Sequence, residues 1–245
     1  LKSKYLLTKS TISESGILFV PNVSTDIDIG LEGLIWAQEL TWLHKKPVIY
    51  IAGNHEYYRH DFVKLTQQMR DYAAQYDQLI FLEKDEVIIN DVRFLGTTLW
   101  TNYLHELGII ERDKNILILD DALYDHKVIR HGNESFSALK AYEEHLVSER
   151  WLRERLMEPF DGKTVVITHH APSFQCNHID FGMNLYSPGF ASNLDVLVAM
   201  ADVWCYGHTH SNLDATFAGC RLLSNQAGYK NEKKPVPLEH KLIIL

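Results

Sequence analysis

Three short stretches hold the side chains with the widest chemical scope. VIYI at 48–51 runs into Gly53-Asn54-His55-Glu56, TVVIT at 164–168 into His169-His170, and VWCY at 203–206 into Gly207-His208-Thr209-His210. Imidazoles and a carboxamide so placed have two chemical uses. They ligate a divalent transition metal, with Mn, Fe, Zn and Ni the ions that suit imidazole, or they move protons near neutral pH. Singly each stretch is weak, because a histidine at a strand end is more commonly a hydrogen-bonded surface residue and short motifs match by chance. Three of them, each behind an apolar run of strand type, support one another. Such a ligand set also needs carboxylate charge, and the upstream candidate is Asp26 in NVSTDIDIG.

For these residues to meet, the runs that precede them must be neighbouring strands, since sites in open α/β sheets form outside the carboxyl ends of strands. The remaining pattern agrees. Strands are expected at 5–7, 17–20, 48–51, 80–82, 87–89, 92–95, 164–168 and 203–206, with Asn90-Asp91 as a hairpin turn. Apolar residues at helical spacing predict helices over 30–44, 62–76 and 136–156, and a short one over 194–200. The tail, through Leu222-Leu223 to Ile243-Ile244, reads as more β than α. Residues 97–133 show poor periodicity and read as a long loop region with short elements, a kind of segment that is often functional. One α/β domain over 1–245 is the economical organisation.

Bulk properties narrow the function. The chain has 245 residues, 46% hydrophobic, enough for a full core. A net charge of -8 without a dense Lys/Arg run disfavours nucleic acid and anionic membrane surfaces as partners. No stretch of about 18 apolar residues predicts a membrane span. Three scattered cysteines, Cys176, Cys205 and Cys220, fit a reducing cytoplasm better than a disulfide framework. The start, LKSKYLLTKS, has no signal-peptide apolar region and no Met, as expected of a piece of a longer reading frame.

In order, GNHE, VVITHH and GHTH resemble the motifs of the calcineurin-like metallophosphoesterases. STDIDIGLEGLIWA is similar to that family's G-D motif, with Thr25 in place of Gly, and GTTLW at 96–100 and SNQAGY at 224–229 are similar to subfamily segments. The resemblance implies a four-layer α-β-β-α sandwich of two mixed β-sheets flanked by helices. It implies that Asp26 bridges two metals, that Asn54, His169 and His208 complete one site, and that His210 serves the other. It makes His55 the general acid that protonates the leaving oxygen, in hydrolysis of a phosphodiester or small phosphomonoester.

One motif is missing. The family's D-x-H aligns with Thr8 and Ser10 of KYLLTKS. The expectation is therefore one firmly bound ion and a weak or empty second site, with activity reduced. The rival is a pseudoenzyme of the same fold that binds a phosphate ligand or acts as a scaffold. Asp28 is a replacement carboxylate or, on the favoured reading, a solvated turn residue. His170 reads equally as a substrate contact or as a supporting histidine. Arg59 is a phosphate grip or, on the favoured reading, an exposed loop residue. Glu56 orients His55 or caps the next segment. Asp125 and His126, in the irregular stretch, read as a hydrogen-bonded turn, with a lid as the other reading.

Overall fold

A computed structural model describes residues 29–105, 108, 110–178 and 182–226. The strands expected at 5–7 and 17–20, Asp26, Asp28 and the end of the tail lie outside the described residues, as do Thr8 and Ser10.

The chain proceeds through α1 (Glu32–His44), β1 (Val48–Tyr50), a turn of 3-10 helix (His55–Tyr57), α2 (Phe62–Ala73), β2 (Leu79–Phe81), β3 (Asp85–Ile89) and β4 (Val92–Thr97). Then come α3 (Arg112–Ala122), α4 (Asp125–Val128), the small pair β5 (Arg130–His131) and β6 (Glu134–Ser135), and the long α5 (Ala138–Met157). β7 (Lys163–Thr168), α6 (Asp195–Val198), β8 (Val203–Cys205), β9 (Leu213–Phe217) and β10 (Cys220–Ser224) complete it.

A six-stranded sheet runs β3-β4-β7-β8-β10-β9, with parallel pairs β4/β7, β7/β8 and β8/β10 and antiparallel edges. β1 and β2 pair in parallel as a second sheet. Alternation along the strands explains the layering, since successive side chains point to opposite faces. Val48, Tyr50, Leu79 and Phe81 join Leu34, Leu40, Leu65 and Met69 beneath α1 and α2. Ile49, Ile51, Ile80 and Leu82 face Phe94, Val165, Ile167, Val203, Cys205 and Leu223 of the large sheet. On that sheet's far side, Leu95, Val166, Trp204 and Leu222 pack against Leu152 and Leu156 of α5 and Leu197 and Val198 of α6. The result is the α-β-β-α sandwich expected from the sequence. The large sheet is mixed, and the smaller one is a parallel pair among the described residues.

Asn90 and Asp91 both take positive φ, 49° and 60°, the backbone of the tight hairpin turn between β3 and β4. The three cysteines are buried thiols. No helix among the described residues is long and apolar enough to cross a membrane.

The reading of 97–133 as irregular needs correction, because it contains the eleven-residue α3. Ile116, Leu117, Ile118 and Leu119 are consecutive there, so no helical stripe is visible in the sequence. Only Asn115, Ile116 and Leu119 of that helix are buried, and Leu117 is 72% exposed.

Candidate metal centre

The three histidine-bearing stretches converge at the carboxyl ends of β1, β7 and β8. Each is held by local chemistry that its sequence dictates. After β1 the chain turns at Gly53, and Glu56 closes the turn by accepting from the Gly53 amide at 2.8 Å and the Tyr50 hydroxyl at 2.9 Å. These two bonds tie Glu56 back to β1 and its turn, a role different from the two readings of the sequence, orienting His55 or capping the next segment. The Glu56 carbonyl accepts from the Gly30 amide at 2.8 Å, which ties the chain just before α1 to the same turn. Helix α1 approaches so closely that a Cβ on Gly33 would lie 2.2 Å from the Tyr50 hydroxyl oxygen.

At the other two ends, Thr168 accepts from the Trp204 indole at 3.0 Å and donates to the His170 carbonyl at 2.8 Å. The Gly207 amide donates to the His169 carbonyl at 2.9 Å. His208 and His210 both adopt left-handed backbone, φ 66° and 53°. Such conformations cost energy in residues other than glycine and cluster at functional sites. Gln226 holds them. It accepts from the His210 amide at 2.7 Å, and the two hydrogens of its own amide nitrogen are shared among Thr209 Oγ1, the Ser211 carbonyl and Ser224 Oγ.

Asn54, His169 and His208 meet. His169 Nε2 lies 2.7 Å from Asn54 Oδ1 and 3.0 Å from His208 Nδ1. One ring nitrogen carries at most one hydrogen, so it cannot make two full bonds in both directions. A cation among the three atoms would satisfy all of them. Two donors about 2.1 Å from one ion and at right angles are separated by roughly 3.0 Å, so the spacing fits a shared octahedral ion. His170 stands beside them, with the ligand-type nitrogens of His169, His170 and His208 within 4.8 Å of one another. The His170 ring approaches the Thr98 carbonyl through Nδ1 at 3.2 Å and faces Trp100 at 5.0 Å between centroids. Phe190 stacks on the His208 ring at 4.8 Å.

Electrostatics favours neutral imidazoles. Burial, followed by the neighbouring His208 and other histidines, holds His169 well below the usual histidine range, and burial with His208 does the same to His170. A neutral imidazole is the form that binds a metal. His55 and His210 are close enough to add to the effect on His169. His55 also lies against the Tyr58 ring, 4.4 Å between centroids. Arg59 is exposed, and its backbone amide is bonded to the Val128 carbonyl.

Sequence reasoning missed two supports of this centre. Asn54 Nδ2 donates to Asp125 Oδ1 at 2.7 Å, and the Tyr58 hydroxyl donates to the same oxygen at 2.7 Å. Gln226 falls within SNQAGY, noted as a segment but not as a support.

Comparison with known proteins agrees with this fold. The phosphopantetheinyl hydrolase of Mycobacterium tuberculosis superposes with a TM-score of 0.60, over 82% of this chain and 78% of its own, at 15% identity. At that identity the likeness is one of fold. A viral relative, the uncharacterized protein L509 of Acanthamoeba polyphaga mimivirus, is 22% identical over 215 residues, 80% of this chain and 72% of that protein. Residues 26–212 match the family model of the calcineurin-like phosphoesterases. With a match spanning most of its length, the chain belongs to that family of metal-using phosphoester hydrolases.

Proposed function

We propose that the chain, as a single metallophosphoesterase domain, hydrolyses a phosphodiester or a small phosphomonoester with His55 as general acid. The observation that carries this reading is the convergence of Asn54 Oδ1, His169 Nε2 and His208 Nδ1 at 2.7 and 3.0 Å beside His55. Asn54, His169 and His208 would hold one divalent ion, Mn being the first candidate, with Asp26 as their carboxylate. Asp26 stands four positions before Gly30, which is bonded to the Glu56 carbonyl of the GNHE turn. His210, with Asp26, would belong to a second site left weak or empty by Thr8 and Ser10 in place of D-x-H.

When bound, the ion supplies Lewis acidity toward the phosphoryl oxygens and lowers the pKa of the attacking water. The protein's own side chains do the rest. His55, on the next residue after ligand Asn54, delivers a proton to the departing alkoxide. General acids in this role contribute roughly 10²–10⁴ in rate. Tyr58 packs against the His55 ring and restricts its orientation. Asn54 and the buried imidazoles of His169 and His170 supply lone pairs without net charge. His170 would line the substrate side, backed by Trp100, and Arg59 would be a grip for the phosphate rim.

Titration with Mn tests the metal assignment. One tight ion per chain is expected, abolished in His169→Ala. Two equally tight ions, or one whose affinity ignores that change, would overturn it. The rival, a non-catalytic binding protein, predicts tight Mn without turnover.

A further inference from the structure

Asn54 is useful as a ligand only if its amide oxygen, not its nitrogen, faces the histidines. The two ends of a carboxamide have nearly the same size, and nothing in the Asn54 backbone chooses between them. The choice is made from a distance of 71 positions. Asp125 has a carboxylate, which can only accept, and it sits 2.7 Å from the end of Asn54 that points away from His169. That end must therefore be the donor Nδ2, and Oδ1 is turned toward His169 Nε2 at 2.7 Å.

We propose that Asp125 is a positioning residue of the metal centre. It locks the Asn54 amide in its ligating orientation and, through Tyr58, steadies the ring beside His55. The Tyr58 hydroxyl donates to the same Oδ1 at 2.7 Å, and the Tyr58 ring lies on the His55 imidazole at 4.4 Å. A single buried carboxylate thus serves a metal ligand and the neighbour of the general acid together.

Asp125 is only 6% exposed, and a buried carboxylate is costly unless hydrogen-bonded, so its place must be well determined. The residue after it determines that place. His126 is buried and bonded at both ends of its ring, with Nδ1 2.9 Å from the Phe136 carbonyl and Nε2 3.1 Å from the Tyr103 hydroxyl. The carbonyl can only accept, so Nδ1 carries the hydrogen and Nε2 accepts from Tyr103. This clamp fixes α4, and Tyr124 at its start packs edge-on against Tyr58 at 5.5 Å. Where the sequence suggested a hydrogen-bonded turn at Asp125-His126, the chain forms the short helix α4, and its bonds reach the site.

The inference rests on the reading of Asn54 as a metal ligand, and the test separates the two. Mn affinity is measured by calorimetry on the full chain for wild type, Asn54→Ala, Asp125→Ala, Asp125→Leu, Asp125→Asn and the double variant lacking both side chains. The two variants without an acceptor should bind Mn about 10–100-fold more weakly, as supporting residues of metal sites do. Asp125→Asn keeps an oxygen at the right place and should recover most of the loss. In the Asn54→Ala background, removing Asp125 should cost almost nothing further, because coupled residues are not additive.

Unchanged affinity in a folded Asp125→Ala or Asp125→Leu would overturn the proposal. So would multiplied losses in the double variant, which would mean that Asp125 acts through general stability or binds the ion itself. If neither of those variants folds, Asp125→Asn carries the test, through a few-fold loss that vanishes when Asn54 is absent. Absence of Mn binding by the wild type would sink the metal reading and this inference with it. Loss in Asn54→Ala but none in a folded Asp125→Ala would sink this inference alone, and no loss in Asn54→Ala would sink the ligand reading on which it rests.

Discussion

At the residue scale, the centre is organised by groups that can act in only one sense. The Asp125 carboxylate accepts, the Phe136 carbonyl accepts, and each forces the group opposite it to donate. Gln226 is the same kind of device on the opposite side of the site. Its oxygen takes the His210 amide while its nitrogen spans Thr209, Ser211 and Ser224. His208 and His210 sit in left-handed backbone, and the bonds of Gln226 brace the turn that carries them. Gln226→Ala should therefore weaken Mn binding by about 10-fold while leaving the protein folded at 25 °C. Calorimetric titration checks this. Affinity equal to wild type would mean that the turn needs no such brace.

At the element scale, the question is what keeps the two sheets in register so that β1 ends level with β7. Glu83, which follows β2 by two residues, is buried and accepts from the Thr98 amide at 2.8 Å and from the hydroxyls of Thr97 and Thr98, at the end of β4. The Thr98 hydroxyl oxygen also lies 3.0 Å from the Ala52 carbonyl, so its one hydrogen is shared between the carboxylate and that carbonyl, and the Thr98 carbonyl faces His170. Burial alone would raise the Glu83 pKa, but the Lys84 ammonium and the Thr98 bonds outweigh it and hold it below the usual value.

A carboxyl whose folded pKa is depressed stabilises the fold above its unfolded pKa, about 4.3, and the benefit is lost as pH falls through the folded value. Glu83→Gln should cost about 2–3 kcal/mol at pH 7, the scale of lost bonds to a charged group. The gap from wild type should narrow below about pH 4. Urea unfolding at pH 7 and at about pH 3 measures both. An equal gap at the two values would show that the charge of Glu83 contributes nothing.

At the scale of the whole molecule, the sequence disclosed those features that depend on local order. β1, β7 and β8 are continuous apolar runs because both faces of each strand are buried, and such runs are visible without any structure. The four layers follow from them, and the histidines are legible because each sits directly behind its strand. What stayed hidden depends on distance or on unusual patterning. Helix α3 carries its apolar residues side by side, with Leu117 facing outward, so periodicity could not reveal it. Asp125 is 71 positions from the amide it orients and looks like any turn aspartate. Gln226 was legible only as part of a segment, because three of its side-chain partners, Thr209, His210 and Ser211, lie on a turn well before it in sequence. Even the reading of His170 gains from the fold, which puts its ring 4.3 Å from that of His208 and backs it with Trp100.

The proposed function requires hydrolysis at this centre with His55 as the acid. The most direct measurement is turnover of an aryl phosphodiester and an alkyl phosphodiester with Mn supplied, for wild type and His55→Ala. The account predicts hydrolysis of both by the wild type. It predicts a fall of about 10²–10⁴ on the alkyl ester in the variant, with a smaller fall on the aryl ester, whose leaving group needs less help from an acid. Turnover by the variant equal to wild type on both esters, with Mn bound alike, would contradict the role given to His55. No turnover by the wild type on either, with Mn tightly bound, would contradict catalysis itself.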